Sequence, residues 1–129
     1  MKIRLLVVDD HDATRASLIR LLAKSPEIEV VADVGLAEDA IQACINLDPD
    51  VVLVDVSLPG DIDGVELIRR LRTAGNDVGI VGFSAYPADE MKDRLLAAGA
   101  DDYLDKMAPV HELIHAIKKS ASASGGRRT

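Results

Sequence analysis

Three short runs of this chain are apolar almost without interruption: Ile3-Arg4-Leu5-Leu6-Val7-Val8, Val51-Val52-Leu53-Val54 and Val78-Gly79-Ile80-Val81-Gly82-Phe83. A strand with one wet face alternates polar and apolar residues, whereas an unbroken apolar run belongs to a strand covered on both faces. Strands of that kind are expected at 3–9, 50–55 and 78–84, with two more at 28–33 and 101–104. Between them the apolar spacing changes to that of a helix. Ala37, Ala40, Ile41, Cys44 and Ile45 follow the i, i+3, i+4, i+7, i+8 pattern, and Val110, Leu113, Ile114 and Ile117 do the same. Helices are expected at 13–24, 36–47, 64–74, 88–98 and 110–121. Asp12 reads as an N-cap, Pro87 and Pro109 as first-turn residues, and Gly75 and Gly99 as helix ends.

Alternation of doubly covered strands with amphipathic helices describes a doubly wound parallel α/β sheet. Right-handed crossovers leave few topologies for it. In open sheets of this kind ligands bind beyond the carboxyl ends of the strands, at a switch point. Asp9, Asp10, Asp55 and Ser84 all fall at such ends.

Composition narrows the function. The 129 residues suit a single domain, and with 48% hydrophobic but only 2% aromatic residues its core must be Val, Ile, Leu and Ala. A formal charge of −7 argues against direct contact with nucleic acid, whose phosphates need a basic surface. The lone Cys44 excludes an internal disulfide, fits a reducing compartment and reads as core filler. No stretch approaches the roughly 18 apolar residues of a membrane span, so a cytoplasmic domain is expected. The segment from Ser120, small, polar and Gly-rich, reads as a flexible tail or the start of a linker, giving one domain over 1–121 and a tail over 122–129.

A hydrophobic run that stops on acid is unusual, because an unpaired buried charge is costly. Asp9-Asp10 and Asp55 do this at two strand ends, and such a cluster either repels itself or holds a hard divalent cation. Mg2+ asks only for one or two carboxylates besides water and phosphate. One carboxylate is then free to act as a nucleophile and form an acyl phosphate. A hydroxyl at Ser84 and an ammonium at Lys106 would complete the cage around a phosphoryl group.

These pieces resemble the receiver domain of bacterial two-component response regulators, from Lys2 to about Ala121. They are Val8-Asp9-Asp10-His11, Asp55-Val56-Ser57-Leu58-Pro59, Ser84-Ala85 and Tyr103-Leu104-Asp105-Lys106, in order at successive strand ends. The stretch from Asp9-Asp10-His11 to Glu27-Ile28-Glu29-Val30-Val31 is most similar to the NarL (LuxR-type) branch. The resemblance implies a flavodoxin-like sheet of order 2-1-3-4-5 with five helices. It implies that Asp55 is phosphorylated by a sensor histidine kinase, and that Asp10, Asp55 and the Ser57 carbonyl bind Mg2+, with Asp9 acting through water. It further implies that Ser84 and Lys106 engage the phosphoryl group and that Ser84 and Tyr103 switch the helix 4–strand 5–helix 5 surface. The output would be transcriptional, through a DNA-binding domain outside this chain, or else protein contact by a stand-alone receiver; homodimerisation is open. Two departures stand out: Leu58-Pro59-Gly60-Asp61-Ile62-Asp63-Gly64 carries one residue more than the common loop, and Met107 rather than Pro follows Lys106.

Rival readings are weaker. An acid phosphatase using Asp55 would want a second Asp two residues on, where Ser57 stands. A pseudo-receiver would not keep the full acidic set. His111-Glu112-Leu113-Ile114-His115 fits H-E-x-x-H, but no third ligand follows it, so these read as exposed histidines on a core-facing helix. His11 reads as a solvated loop histidine.

Overall fold

The computed structural model describes residues 2–85 and 89–128, apart from the side chains of Asp89 and Arg128. Five strands alternate with five helices: β1 (Ile3–Val8), α1 (Asp12–Leu22), β2 (Ile28–Val34), α2 (Ala37–Leu47), β3 (Val51–Asp55), α3 (Gly64–Thr73), β4 (Gly79–Ser84), α4 (Asp89–Ala98), β5 (Asp102–Asp105) and α5 (Val110–Arg128). The strands form one parallel sheet of order β2-β1-β3-β4-β5, the expected architecture. Every residue of β3 and β4 is buried, as their unbroken apolar runs require.

Side chains alternate across a strand, so each run feeds two cores. Leu6, Val8, Val52 and Val54 pack with Leu67 and Ile68 of α3 and Leu95 of α4 on one face. Leu5, Val7, Leu53, Val81 and Phe83 pack with Leu22 of α1 and Ile117 of α5 on the other. Gly75 and Gly99 end α3 and α4 with φ of 81° and 119°, the left-handed conformation that favours glycine there.

Cys44 is buried in the first of these cores, where burial pushes its thiol up to about 11 from 9.0. The folded chain therefore keeps the thiol proton over a range in which the unfolded chain has lost it, and stability falls as pH rises from about 9.0 to about 11. At pH 8 the thiolate population is then about a hundredfold lower in the folded chain than in urea. Alkylation rates measured under both conditions should differ by at least that factor; equal rates would contradict the burial.

The chain departs from the sequence reading at two helix ends. His11, not Asp12, occupies the N-cap position of α1; Asp12 enters the first turn, where its carboxylate pairs with Arg15 Nη2 at 2.9 Å. The helix expected to stop near Ala121 runs to Arg128 instead of giving way to a flexible tail. Its small residues permit close packing: a Cβ on Gly79 would lie 2.6 Å from Ser120 Oγ. Ser124 Oγ donates to the Asp77 carbonyl at 2.9 Å, and the Arg127 guanidinium grips both Asp101 oxygens at 2.8 and 3.0 Å. A serine-rich composition that looks like linker thus serves as a helix face. Pro87 lies outside the described residues.

Candidate functional site

Because all five strands run in the same direction, their carboxyl ends share one edge, and β1 and β3 flank the point where the strand order reverses. Val8 and Val54 pair in register, which sets Asp9 and Asp55 side by side just beyond them. Both acids are fully buried. Lys106, just after β5, bridges them: its Nζ lies 2.9 Å from Asp55 Oδ2 and 3.4 Å from Asp9 Oδ2. Its ammonium also stands 5.0 Å from the centre of the Phe83 ring, a cation–π contact. Burial pulls the Lys106 ammonium down, but its hydrogen bonds and charge attraction to Asp55 and Asp9 outweigh this and leave it raised.

The backbone holds this arrangement from several sides. Ser57 N–H donates to Asp55 Oδ1 at 2.9 Å, and His11 N–H donates to Asp9 Oδ1 at 2.9 Å. Lys106 N–H donates to the Ser84 carbonyl at 2.9 Å, joining the ends of β4 and β5. Ser84 is itself buried at the end of β4, and the peptide after Lys106 is trans. Arg15 adds a support that sequence reading missed: it donates to the Asp9 carbonyl through Nη1 and to Asp33 Oδ1 through Nε at 2.9 Å. Only its i, i+3 spacing from Asp12 was visible beforehand. Tyr103 is half-buried and packs against the core cluster that includes Leu95 of α4.

The loop with the extra residue is anchored rather than loose. Leu58 and Ile62 bury their side chains, Gly60 turns the chain at φ 90°, and Asp63 Oδ1 accepts the Glu66 N–H at 2.8 Å as the N-cap of α3. Gly64 then passes so close to β3 that a Cβ there would lie 2.5 Å from the Asp55 carbonyl oxygen.

Three carboxylates face a single ammonium here, an excess of negative charge that a divalent cation would offset. Asp10 Oδ1 is buried and accepts no hydrogen bond among the described residues. Asp9, Asp10, His11 and Asp55 each place a ligand atom within 4.8 Å of the others. An orphaned carboxylate oxygen in an oxygen-rich cluster fits a hard cation such as Mg2+. His11 is the feature sequence reading undervalued: its ring is 61% exposed, yet Nδ1 lies 3.2 to 3.8 Å from oxygens of all three acids. His111, Glu112 and His115, by contrast, are exposed on α5, and among the described residues they form no cluster of three metal-ligating groups.

A parallel 2-1-3-4-5 sheet with a lysine-bridged acid cluster at its switch point is the arrangement the receiver-domain resemblance implies. Comparison with known proteins bears this out: the response regulator receiver domain family matches residues 5–118. The response regulator GacA of Pseudomonas viridiflava is 40% identical over 116 residues, 90% of this chain and 54% of GacA. The response regulator UvrY of Escherichia coli K12 is 36% identical over 90% of this chain and 53% of UvrY. The chain thus spans about half the length of these relatives. A LuxR-family two-component response regulator from Aurantimonas sp. SI85-9A1 superposes with a TM-score of 0.89 at 30% identity, covering 95% of this chain and 86% of that one. A CheY-like receiver domain protein from Methanospirillum hungatei JF-1 gives 0.82 at 25% identity, with 98% of each chain covered. The chain belongs to the response regulator receiver family of two-component signalling, NarL/LuxR type. Receiver domains of response regulators are signalling domains, and response regulators are phosphorylated by sensor kinases. No described helix is long and apolar enough to cross a membrane.

Proposed function

We propose that this domain stores one phosphoryl group on Asp55, taken from the phosphohistidine of a sensor histidine kinase. The observation that carries the reading is the buried Asp55 carboxylate, held at Oδ1 by Ser57 N–H and at Oδ2 by Lys106, with Asp9 and Asp10 beside it. Asp55 attacks phosphorus, the P–N bond to the kinase imidazole breaks, and an acyl phosphate forms. Asp10 and Asp55, with the Ser57 carbonyl, would hold Mg2+, Asp9 acting through water. The cation supplies charge neutralisation to the phosphoryl oxygens. Lys106 turns its ammonium from Asp55 toward those oxygens, and the Ser84 hydroxyl donates to one of them.

The phosphoryl group shifts a two-state equilibrium only by binding one state better. Ser84 and Tyr103 would favour that state by rearranging the α4–β5–α5 surface. That surface would control an output, transcription through a DNA-binding domain outside this chain, with action as a stand-alone receiver the alternative. Residues 122–129 would lead toward such a segment. Hydrolysis of the acyl phosphate by the domain itself resets it, in the cytoplasm and away from membranes. With a charge of −7 this chain makes no direct nucleic acid contact, and homodimerisation of the switched face is the further partner state.

Incubation with acetyl phosphate and Mg2+ should add one phosphoryl mass, labile to hydroxylamine as an acyl phosphate is. No mass gain with Mg2+ present would refute the assignment. Asp10→Ala should weaken Mg2+ binding about tenfold or more, on the scale of metal-site mutations. Full Mg2+ affinity by calorimetry in that variant would remove Asp10 from the metal set.

A further inference from the structure

We propose that His11 is a direct ligand of the divalent cation through Nδ1, which strengthens this site's binding of imidazole-binding metals such as Co2+ or Zn2+ beyond what its oxygens alone would give. The inference rests on the metal reading above and adds a residue and a selectivity to it. Its geometric basis is the position of Nδ1, 3.2 Å from Asp10 Oδ1, 3.3 Å from Asp9 Oδ1 and 3.8 Å from Asp55 Oδ2. Two ligands bound at about 2.1 Å to one octahedral ion lie about 3.0 Å apart when adjacent and about 4.2 Å apart when opposite. The 3.2 and 3.3 Å spacings to Asp10 and Asp9 suit adjacent positions, and the 3.8 Å spacing to Asp55 lies between the adjacent and opposite values.

A hydrogen bond explains part of the arrangement, since Nδ1 lies 3.3 Å from Asp9 Oδ1 in hydrogen-bond geometry. It leaves Asp10 unexplained: Nδ1 stands 3.2 Å from Asp10 Oδ1 without that geometry, and the oxygen is left buried without a donor, open to a shared cation. The backbone directs the ring there: His11 N–H is fastened to Asp9 Oδ1, and its φ of −88° and ψ of 101° keep it extended ahead of α1. Ligation requires no core rearrangement, because the ring is 61% exposed.

Selectivity follows from ligand type. Imidazole suits Zn2+, Cu2+, Ni2+ and Co2+, whereas Mg2+ takes oxygen donors and keeps its waters. His11 therefore contributes strongly to binding of the first group and little to binding of Mg2+.

The chain has three histidines, so His111→Ala/His115→Ala removes the only other imidazoles, both exposed on α5. On that background Mg2+ and Co2+ are titrated separately by calorimetry, with and without His11→Ala, while Co2+ visible absorption reports nitrogen ligation. Loss of His11 should lower Co2+ affinity about tenfold or more, shift the Co2+ bands and leave Mg2+ affinity unchanged. Co2+ affinity and spectrum unmoved by His11→Ala would overturn the proposal, as would parallel losses for both metals. Absence of Mg2+ binding to the parent would instead overturn the metal reading itself. Imidazole 15N resonances of the wild-type chain, followed through Zn2+ addition, are a second readout: a shifted His11 Nδ1 supports ligation and an unshifted one refutes it.

Discussion

Asp55→Asn should take acyl phosphate formation from one phosphoryl group per chain to none. The carboxamide nitrogen and oxygen are poor nucleophiles toward phosphorus, while the replacement keeps the size of the side chain and its Oδ1 acceptor for Ser57 N–H. The fold is expected to survive, because the change removes one of three crowded carboxylates and so relieves like-charge repulsion. Lys106 keeps Asp9 as a partner at 3.4 Å. Mass spectrometry after acetyl phosphate treatment, with circular dichroism to verify folding, makes the comparison. A folded Asp55→Asn chain that still gained a hydroxylamine-labile phosphate would transfer the acceptor role elsewhere, with the adjacent Asp9 the first place to look.

The second large effect is expected at a residue with no functional group. In Gly64→Ala the new methyl would sit 2.5 Å from the Asp55 carbonyl oxygen, 2.6 Å from Val56 Cα and 3.0 Å from the Val56 carbonyl oxygen. All three are backbone atoms, which cannot swing aside as a side-chain tip can. Either α3 lifts from the end of β3 or the Asp55–Val56 segment moves, and overpacking of this kind costs about 3 kcal/mol. For a domain of this size that corresponds to a fall in Tm on the order of 10 °C. The acceptor carboxylate shifts with its backbone, so phosphorylation should slow as well. Gly125→Ala provides the contrast, since nothing lies within 4 Å of its added Cβ. As a glycine inside α5 it should gain about 0.5–1 kcal/mol. Thermal melts and labelling rates of both variants settle the matter; a Gly64→Ala chain matching the parent in both would show that the helix has room to move.

Both predictions turn on how the ends of β3 and α3 meet, and that junction shows the reach of the sequence. Asp55 was recognisable as a site residue because acid at the end of an unbroken apolar run is a local anomaly. Asp63 and Gly64 stand in the sequence only as the end of a loop with one extra residue and the start of the helix expected at 64–74. Their roles as α3 N-cap and close-approach residue appear only when the helix lies across the strand. His11 was passed over for a similar reason, since one histidine in a loop carries no periodicity and its ring direction depends on the turn at Asp9. The end of α5 misled more directly. Ser and above all Gly have weaker helix preferences than Ala taken locally, and contacts to Asp77 and Asp101, far away in sequence, outweigh them.

The doubly covered parallel sheet and the gathering of Asp9, Asp10, Asp55 and Ser84 at one edge were determined by the chain's local pattern, whereas the strand order followed only from the family resemblance. Periodicity and burial are properties of neighbouring residues, and parallel strands leave their carboxyl ends only one side to share. Tertiary structure alone decided that Lys106 crosses 97 positions to reach Asp9 and 51 to reach Asp55, that His11 turns inward, and that the final helix keeps its last two turns. The lysine bridge and the end of α5 depend on pairs of groups distant in sequence that meet only after the core has packed, while His11 depends on the turn at Asp9 and on the approach of Asp55.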